Sequence, residues 1–518
     1  MTALLSDVAR ALVDVEHRGG DVPLTDATHD SRQVSSGTLF CAIHGASADG
    51  HDHAPRAVSA GARALIVERW LDLDVPQLKV PSVRAVTGPA AAVVHGRPSE
   101  ELVVVGTTGT NGKTTVSYLL EGAFAAAGRG TGVIGTVETR IHGTRLPGLR
   151  TTPEGPDLQR LLRDMHTRGV DAVAMEVSSH GLDLHRVDGT RFRVAVYTNL
   201  SQDHLDWHGS MEAYFTAKAR LFTPELSDRG VVFLDGPWAD RLVREAGVPL
   251  VTLGRQRSAD VRLVEEDVRV EGGAGRLVGT LTAAAVAGSP DASGTTLDLR
   301  VGTTLPGAFN LANAATAVLA AIVAGVPAEA AAAGVAACPG APGRLERVEV
   351  VDGPTVFVDY AHTPAAITQV VDTVRAVQRD DARLLVVLGC GGDRDTAKRG
   401  PMGAAAASAD VAVLTSDNPR TEDPEAILAA VVTGAREAVA AGAPADLHVE
   451  VDRRRAIALA LAEARPTDVV VIAGKGHETT QELGDRTIAF DDREVVRDLL
   501  ASGGAVTPGS AGATGGAS

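Results

Sequence analysis

The 518-residue sequence has few aromatics, with 9 Phe, 4 Tyr and 3 Trp. Its interior must therefore be filled mainly by Ala, Val, Leu and Ile rather than by large rings. Cysteine is scarcer still: Cys41, Cys338 and Cys390 are odd in number and far apart. That excludes a disulfide framework and suits a reducing compartment. No apolar run reaches the ~18 residues of a membrane-crossing helix, so no membrane insertion is expected. The segment Met1–Arg10 lacks the long apolar core of a secretory signal, and a cytoplasmic location is expected. Positive charge is in deficit, with 49 Lys+Arg against 65 Asp+Glu and a formal charge of −16. Without a compact basic face a nucleic-acid partner is not expected, and anionic ligands must be held by local sites.

What the sequence does have is the stretch Val103-Val-Val-Gly-Thr-Thr-Gly109-Thr-Asn-Gly-Lys113-Thr-Thr115. Three consecutive valines predict a buried parallel strand. The residues Val116–Ala127 predict a helix, with Leu119, Leu120, Ala123 and Phe124 on one side. A glycine turn between strand and helix start is a phosphate site, because glycine lets backbone N–H groups approach an anion and the helix N-terminus favours negative charge. Lys113 is placed to reach the outer phosphates of ATP, and the Thr114 hydroxyl to hold Mg2+. The strict spacing of such loops would put the first glycine at position 107, where this chain has Thr107, with glycines at 106 and 109 instead.

Length predicts about three domains at ~150 residues each, read as 1–98, 99–343 and 344–501, with a Gly/Ala/Ser-rich tail, 502–518, expected to be disordered. The first is a small α/β unit in which Ala54–Ala60 reads as helix and Ala64–Val67 as strand; Asp30-Ser31-Arg32 either binds an anion or pairs locally. In the second, Thr151-Thr152-Pro153-Glu154 is expected to open a helix with Pro at its first position. The apolar run Ala172–Met175 ends in Glu176, and Ala195–Leu200 leads into His204; ligands gather at such carboxyl ends of strands in α/β sheets. Glu176 is a candidate Mg2+ ligand. Lys218, on a helix over Met211–Phe222, reads in isolation as a solvated charge. Residues 255–304 suggest a peripheral hairpin region, and Asn310 stands near the start of an Ala-rich helix. In the third, the apolar runs ending at Asp359, Gly389, Ser416 and Ala473 alternate with helical segments, so a second, doubly wound α/β unit is expected.

These stretches resemble the Mur ligase family. The resemblance rests on Gly109–Thr115, Met175–Gly181, Thr198–Asp206, Val358–Pro364, Gly389–Asp395, Asp417–Arg420 and Gly474–Glu478, and it spans about 25–500 in family order. It implies a three-domain α/β fold: an N-terminal UDP-binding domain, a central ATPase-type domain and a C-terminal Rossmann-like domain. It implies an ATP-dependent amide ligase, expected as a monomer, that joins meso-diaminopimelate to UDP-N-acetylmuramoyl-L-alanyl-D-glutamate through an acyl phosphate. ATP and two Mg2+ ions are the implied cofactors. By the same resemblance Gly109, Thr110, Asn111, Gly112, Lys113, Thr114 and Thr115, with Asn310, Arg344 and Asp359, hold the nucleotide. Thr114 and Glu176 hold one Mg2+; His204 and a carbamylated Lys218 hold the other. His29, Ser31, Ala46, Ser47, Ala48, Thr151, Thr152, Ser178 and Arg186 meet the UDP substrate, although Leu184 stands where relatives often carry Gln. Arg394, Asp417, Asn418, Pro419, Arg420, Gly474 and Glu478 meet the diaminopimelate. Rival expectations are a ligase of the same kind specific for L-lysine, a folylpolyglutamate synthase, and a P-loop switch without ligase activity.

Overall fold

The computed structural model describes residues 2–45, 48–146, 150–282, 295–351 and 353–501. The candidate residues Ala46 and Ser47 and the tail 502–518 lie outside the described residues. The chain divides into two compact units: one comprises the chain up to Asp267 with Ala274–Thr303 and Phe309–Cys338, the other Val268–Gly273, Thr304–Ala308 and the chain from Pro339.

The first unit carries two main sheets beside the two-stranded pairing of Ala3–Leu4 with Pro23–Leu24. The smaller runs in the order Glu16–Arg18, Gln77–Lys79, Ala62–Val67, Thr38–Cys41, Asp26–Thr28, parallel except for its first pair. The larger has eleven strands, with Val103–Thr108 flanked by Ala172–Glu176 and Val194–Tyr197, parallel to both. The strand Val103–Thr108 is buried from Val104 onward and Ala172–Glu176 along its whole length. Such strands read as unbroken apolar runs because helices cover both faces of a parallel sheet. The helix Gly155–Thr167 joins the two parts of this unit. Its Arg160 donates from Nε to Asp26 (3.1 Å) and from Nη2 to the Ala27 carbonyl (3.0 Å), and Arg163 Nε donates to the His95 carbonyl (2.7 Å).

Several expected boundaries move. The helix after the phosphate loop begins at Lys113, three residues early, because Gly112 turns the chain at φ 87° and the helix grows from it. The helix expected from Thr151 begins at Gly155 instead, with Glu154 as its N-cap and Pro156 in its first turn. Thr152 stays outside because its hydroxyl is committed to the Glu176 carbonyl (3.0 Å). Met211–Ala219 is α-helical and tightens to a 3-10 turn over Arg220–Phe222. The strands Val261–Arg269, Gly272–Leu281 and Thr295–Thr303 extend the large sheet at its edge.

The second unit is a six-stranded sheet in the order Glu346–Val348, Thr355–Asp359, Val469–Ala473, Leu384–Cys390, Val411–Ser416, Asp446–Val449, parallel apart from the first pair. That non-sequential order is the doubly wound arrangement expected from the alternating pattern. The helices Arg399–Ala406 and Pro424–Ala440 touch backbone to backbone. A methyl at Gly434 would fall on the Gly400 carbonyl, and one at Gly403 on the Val431 carbonyl. In an exposed helix interior Gly→Ala stabilises by about 1 kcal/mol; here the added carbon has no space. Gly434→Ala is therefore expected to destabilise by about 1–3 kcal/mol, read as a lowered urea midpoint.

Candidate active site

Val103–Thr108 ends one residue before Gly109, which explains the displaced glycine of the loop: Thr107 still lies in the strand. Gly106 lies beneath the Phe192 ring, which a Cβ would approach to 2.7 Å. Gly109 adopts φ +151°, where a Cβ would strike the Thr198 hydroxyl, so glycine is required at that point. The helix Lys113–Ala126 starts without a capping side chain. Its first-turn N–H groups have no partner within an α-helix, which suits an anion. Lys113 Nζ donates to the carbonyls of Gly109 and Thr110, both at 2.9 Å. Thr114 and Thr115 are buried in the first turn, with Thr110 and Asn111 tied to Asn199 and its neighbour Ser201. Asn310 and Asn313 are buried near the start of the helix Ala308–Val323, and Asn313 Oδ1 lies 2.7 Å from where a Gly112 Cβ would be.

Lys218 is not the solvated lysine its isolated reading suggested. It is 2% exposed and lies 4.6 Å above the Tyr214 ring, and its Nζ donates to the Gly109 carbonyl at 2.8 Å. Two lysine amines thus converge on one oxygen. Burial, reinforced by the Lys113 charge, holds the Lys218 amine well below its ordinary value of 10.5. A neutral amine is the form that adds CO2, so the environment fits the carbamate implied by the family resemblance.

Glu176 ends its strand beside Thr107 and is 1% exposed. Its carboxylate accepts from the Thr136 N–H (2.8 Å) and hydroxyl (3.0 Å), and among the described residues it has no ion-pair partner. A buried carboxylate at a strand end among the Thr136 and Thr152 hydroxyls is an oxygen donor set that fits a hard divalent cation. His204 sits in the left-handed region (φ 51°), half-exposed, with Nε2 3.4 Å from Asp203 and its ring edge-on to His180.

Around Glu176 the candidate substrate residues form one hydrogen-bonded cluster. Thr152 Oγ1 lies 3.2 Å from Ser178 Oγ and accepts from the Ser178 N–H, and the Thr151 and Thr136 hydroxyls are 3.0 Å apart. Arg186 pairs with Glu154 (2.9 Å) and donates to the Thr152 carbonyl. Burial lowers its basicity, with Arg150 and Arg84 adding to the effect. In the smaller sheet's loops, Asp30 and Arg32 pair with each other, which is the local reading of that motif, with Ser31 between them. His29 is half-buried, its Nδ1 without a hydrogen-bond partner, and Ala48 is exposed.

In the second unit, Arg344 lies over the Tyr360 ring, and the Asp359 carboxylate accepts from the Leu345 and Ala361 N–H groups, both at 2.7 Å. Burial pushes the Asp359 carboxyl up, against the nearby Arg344. The loop after Val411–Ser416 buries Asp417, Asn418 and Pro419. Arg420, at φ 53°, donates from Nη1 to the Gly392 carbonyl (2.8 Å), and its Nε lies 3.0 Å from Glu482. Asn418 Nδ2 donates to Glu478 (2.7 Å), joining this loop to Gly474–Glu478. Gly474 lets Asp417 approach: a Cβ would sit 2.6 Å from its Oδ2. Arg394 is exposed.

Four supporting residues escaped the sequence reading. Lys475 is fully buried and donates to the Thr480 carbonyl (2.6 Å); Gln481 donates to the Asp417 carbonyl (2.6 Å); Arg453 and Asp492 form a buried pair. The Gly-Lys-Gly-His-Glu motif pointed to Lys475, but nothing local signals the other three. Elsewhere in this unit, Asp446, His448 and Glu463 bring ligand atoms within 4.8 Å of one another. Glu463 is already shared with Arg383, so this reads as a surface charge cluster.

Three family models match consecutive segments of the chain: the Mur ligase family catalytic domain at 25–98, the Mur ligase middle domain at 107–321, and the Mur ligase glutamate ligase domain at 343–476. The chain belongs to the Mur ligase family. A relative from Streptomyces avermitilis is 46% identical over 93% of each chain and is named UDP-N-acetylmuramoyl-L-alanyl-D-glutamate–2,6-diaminopimelate ligase. A solved structure of a ligase of that name matches with a TM-score of 0.71 at 33% identity, over 97% of this chain and 99% of that one. The Mycobacterium tuberculosis folylpolyglutamate synthase shares the fold, with a TM-score of 0.57 at 22% identity over 79% of this chain and 93% of that one.

Because the buried Lys218 amine loses protons more readily folded than unfolded, the unfolded chain binds more protons below 10.5. Wild-type stability therefore rises with pH across that window. Lys218→Met is expected to stabilise the ligand-free protein by about 1 kcal/mol or more near neutral pH, with the gain shrinking as pH approaches 10.5. Urea unfolding at pH 7.5 and 9.5 measures both.

Proposed function

We propose that this chain is an ATP-dependent ligase that adds meso-2,6-diaminopimelate to UDP-N-acetylmuramoyl-L-alanyl-D-glutamate, a step of peptidoglycan precursor synthesis, as a cytoplasmic monomer. The observation that carries this is the 46% identity, over 93% of each chain, to a relative of that name. Residues 1–98 serve the UDP-sugar, 99–343 the phosphates and 344–501 the amino acid.

A carboxylate is a poor electrophile, so the γ-phosphoryl group is transferred to the terminal carboxylate of the dipeptide and ADP leaves. The amine of the incoming amino acid attacks the acyl carbon and gives up a proton. The C–N bond forms and the C–O bond to phosphate breaks. Lys113 and the first-turn N–H groups of Gly112–Thr115 bind the phosphoryl oxygens, the interactions that grow as charge gathers there. Thr114 and Glu176 would hold one Mg2+, and His204 with carbamylated Lys218 the other; bound there, the ions neutralise phosphate charge. His29, Ser31, Ala48, Thr151, Thr152, Ser178 and Arg186 orient the UDP substrate; Asn310, Arg344 and Asp359 orient the nucleotide.

Diaminopimelate differs from lysine by one carboxylate beside the far amine. Arg420 offers a planar fork for that carboxylate, while Glu478 and the Gly474 carbonyl accept from the ammonium and Arg394 meets the other carboxylate. Lysine would bring no carboxylate to the Arg420 fork, and a site built for a polar group rejects an analogue lacking it. Phosphate release is expected to favour meso-diaminopimelate over L-lysine by about 100-fold or more in kcat/KM, and Arg420→Ala to lose most of that preference. Equal use of both amino acids by wild type overturns the assignment. Lys113→Ala is expected to fold and to lose about 1,000-fold or more in kcat, measured in the same assay.

A further inference from the structure

The two loops assigned to the amino acid leave the sheet of the second unit at nearby strand ends. Val411–Ser416 runs into Asp417, and Val469–Ala473 runs into Gly474. The strand between them in the sheet, Leu384–Cys390, carries Gly389, where a Cβ would come within 2.9 Å of the Asp417 nitrogen. The loops therefore meet above a position without a side chain, and their spacing needs another source.

Arg453 supplies it. It is the first residue of the helix Arg453–Glu463, and Asp492 is the first of Asp492–Ala501; both side chains are 0% exposed. Arg453 Nε and Nη2 each donate to Asp492 at 2.8 Å. The same guanidinium donates from Nη2 to the Ala473 carbonyl (3.1 Å) and from Nη1 to the Ser416 carbonyl (3.4 Å). These are the last residues before each loop. A planar fork held bidentately has one orientation, so one cation ties both strand ends at a set distance. Its charge also acts on Asp417, whose carboxyl burial pushes up and Arg453 and Lys475 pull back.

Stability alone does not call for such a pair, since buried ion pairs are commonly replaced by apolar residues without loss. An apolar pair, however, could not donate to two carbonyls. We propose that the Arg453–Asp492 pair is a positioning clamp that sets the spacing of the loops 417–420 and 474–478 and thereby the selection of diaminopimelate over lysine. This rests on the reading that those loops hold diaminopimelate.

The test measures KM for meso-diaminopimelate, ATP and the UDP-muramoyl dipeptide, and the diaminopimelate-to-lysine ratio of kcat/KM, in the full-length protein. Arg453→Lys keeps the charge and loses the fork. The double variant Arg453→Met/Asp492→Leu removes both charges without leaving an orphaned aspartate. Each is expected to raise KM for diaminopimelate about tenfold or more and to lower the ratio by a similar factor, with KM for ATP within about twofold of wild type. A folded variant with unchanged diaminopimelate KM and unchanged ratio overturns the clamp, as do equal losses toward all three substrates. If one variant does not fold, the other decides. Wild type that ligates no diaminopimelate overturns the functional reading itself, and the clamp with it, before any variant is compared.

Discussion

Two lysines share one carbonyl oxygen, and the candidate active site is arranged to permit it. Lys113 and Lys218 both donate to the Gly109 oxygen, at 2.9 and 2.8 Å. Burial disfavours the charged form of Lys218, the nearby Lys113 charge adds to the effect, and the buried amine yields by favouring its neutral form. The arrangement needs Gly109 at φ +151°, a strand that ends just before it and a helix that starts just after it. It also needs the helix Met211–Ala219, on which Tyr214 lies one turn before Lys218 and holds its ring beneath the amine. A buried amine that donates to a carbonyl costs stability, which is consistent with the role proposed for Lys218.

The second unit solves the opposite problem. There the charges are paired, and the pairing fixes geometry. Asn418 reaches Glu478, Lys475 reaches the Thr480 carbonyl, Gln481 reaches the Asp417 carbonyl, and Glu482 accompanies Arg420. The first, third and fourth of these contacts join the loop 417–420 to the segment 474–482, and the Lys475 contact braces that segment internally. A binding loop that must present a fork to a small zwitterion gains from such cross-bracing, because a misplacement of about 1 Å can cost on the order of 100-fold in rate.

Much of this was legible in the chain. The runs Val103–Val105, Leu384–Leu388 and Val469–Val471 read as buried parallel strands and are parallel strands, buried apart from Val103 at the first strand's start, because burial on both faces leaves no room for polar alternation. The residues that follow them supplied the site candidates. The helix start at Gly155 was not legible, since Thr152 looks like a cap until its hydroxyl is seen bonded to the Glu176 carbonyl 24 residues away. Nor was the burial of Lys218: its helix has no distinct polar face, and what covers the lysine is the phosphate loop, 109 residues earlier.

The Arg453–Asp492 pair shows the same limit from the other side. Each residue opens a helix, and Asp492 there has an ordinary local explanation, because an acid suits a helix N-terminus. An arginine at that position does not; its positive charge opposes the N-terminal end of the dipole. Arg453 is thus locally wrong for its helix and correct only for the sheet, where it meets Asp492 and the two strand-end carbonyls. Such conflicts between local preference and tertiary placement concentrate where geometry serves function. The buried Lys218 and the buried Arg453 are two such conflicts among the described residues, and both stand beside the loops that the functional reading requires.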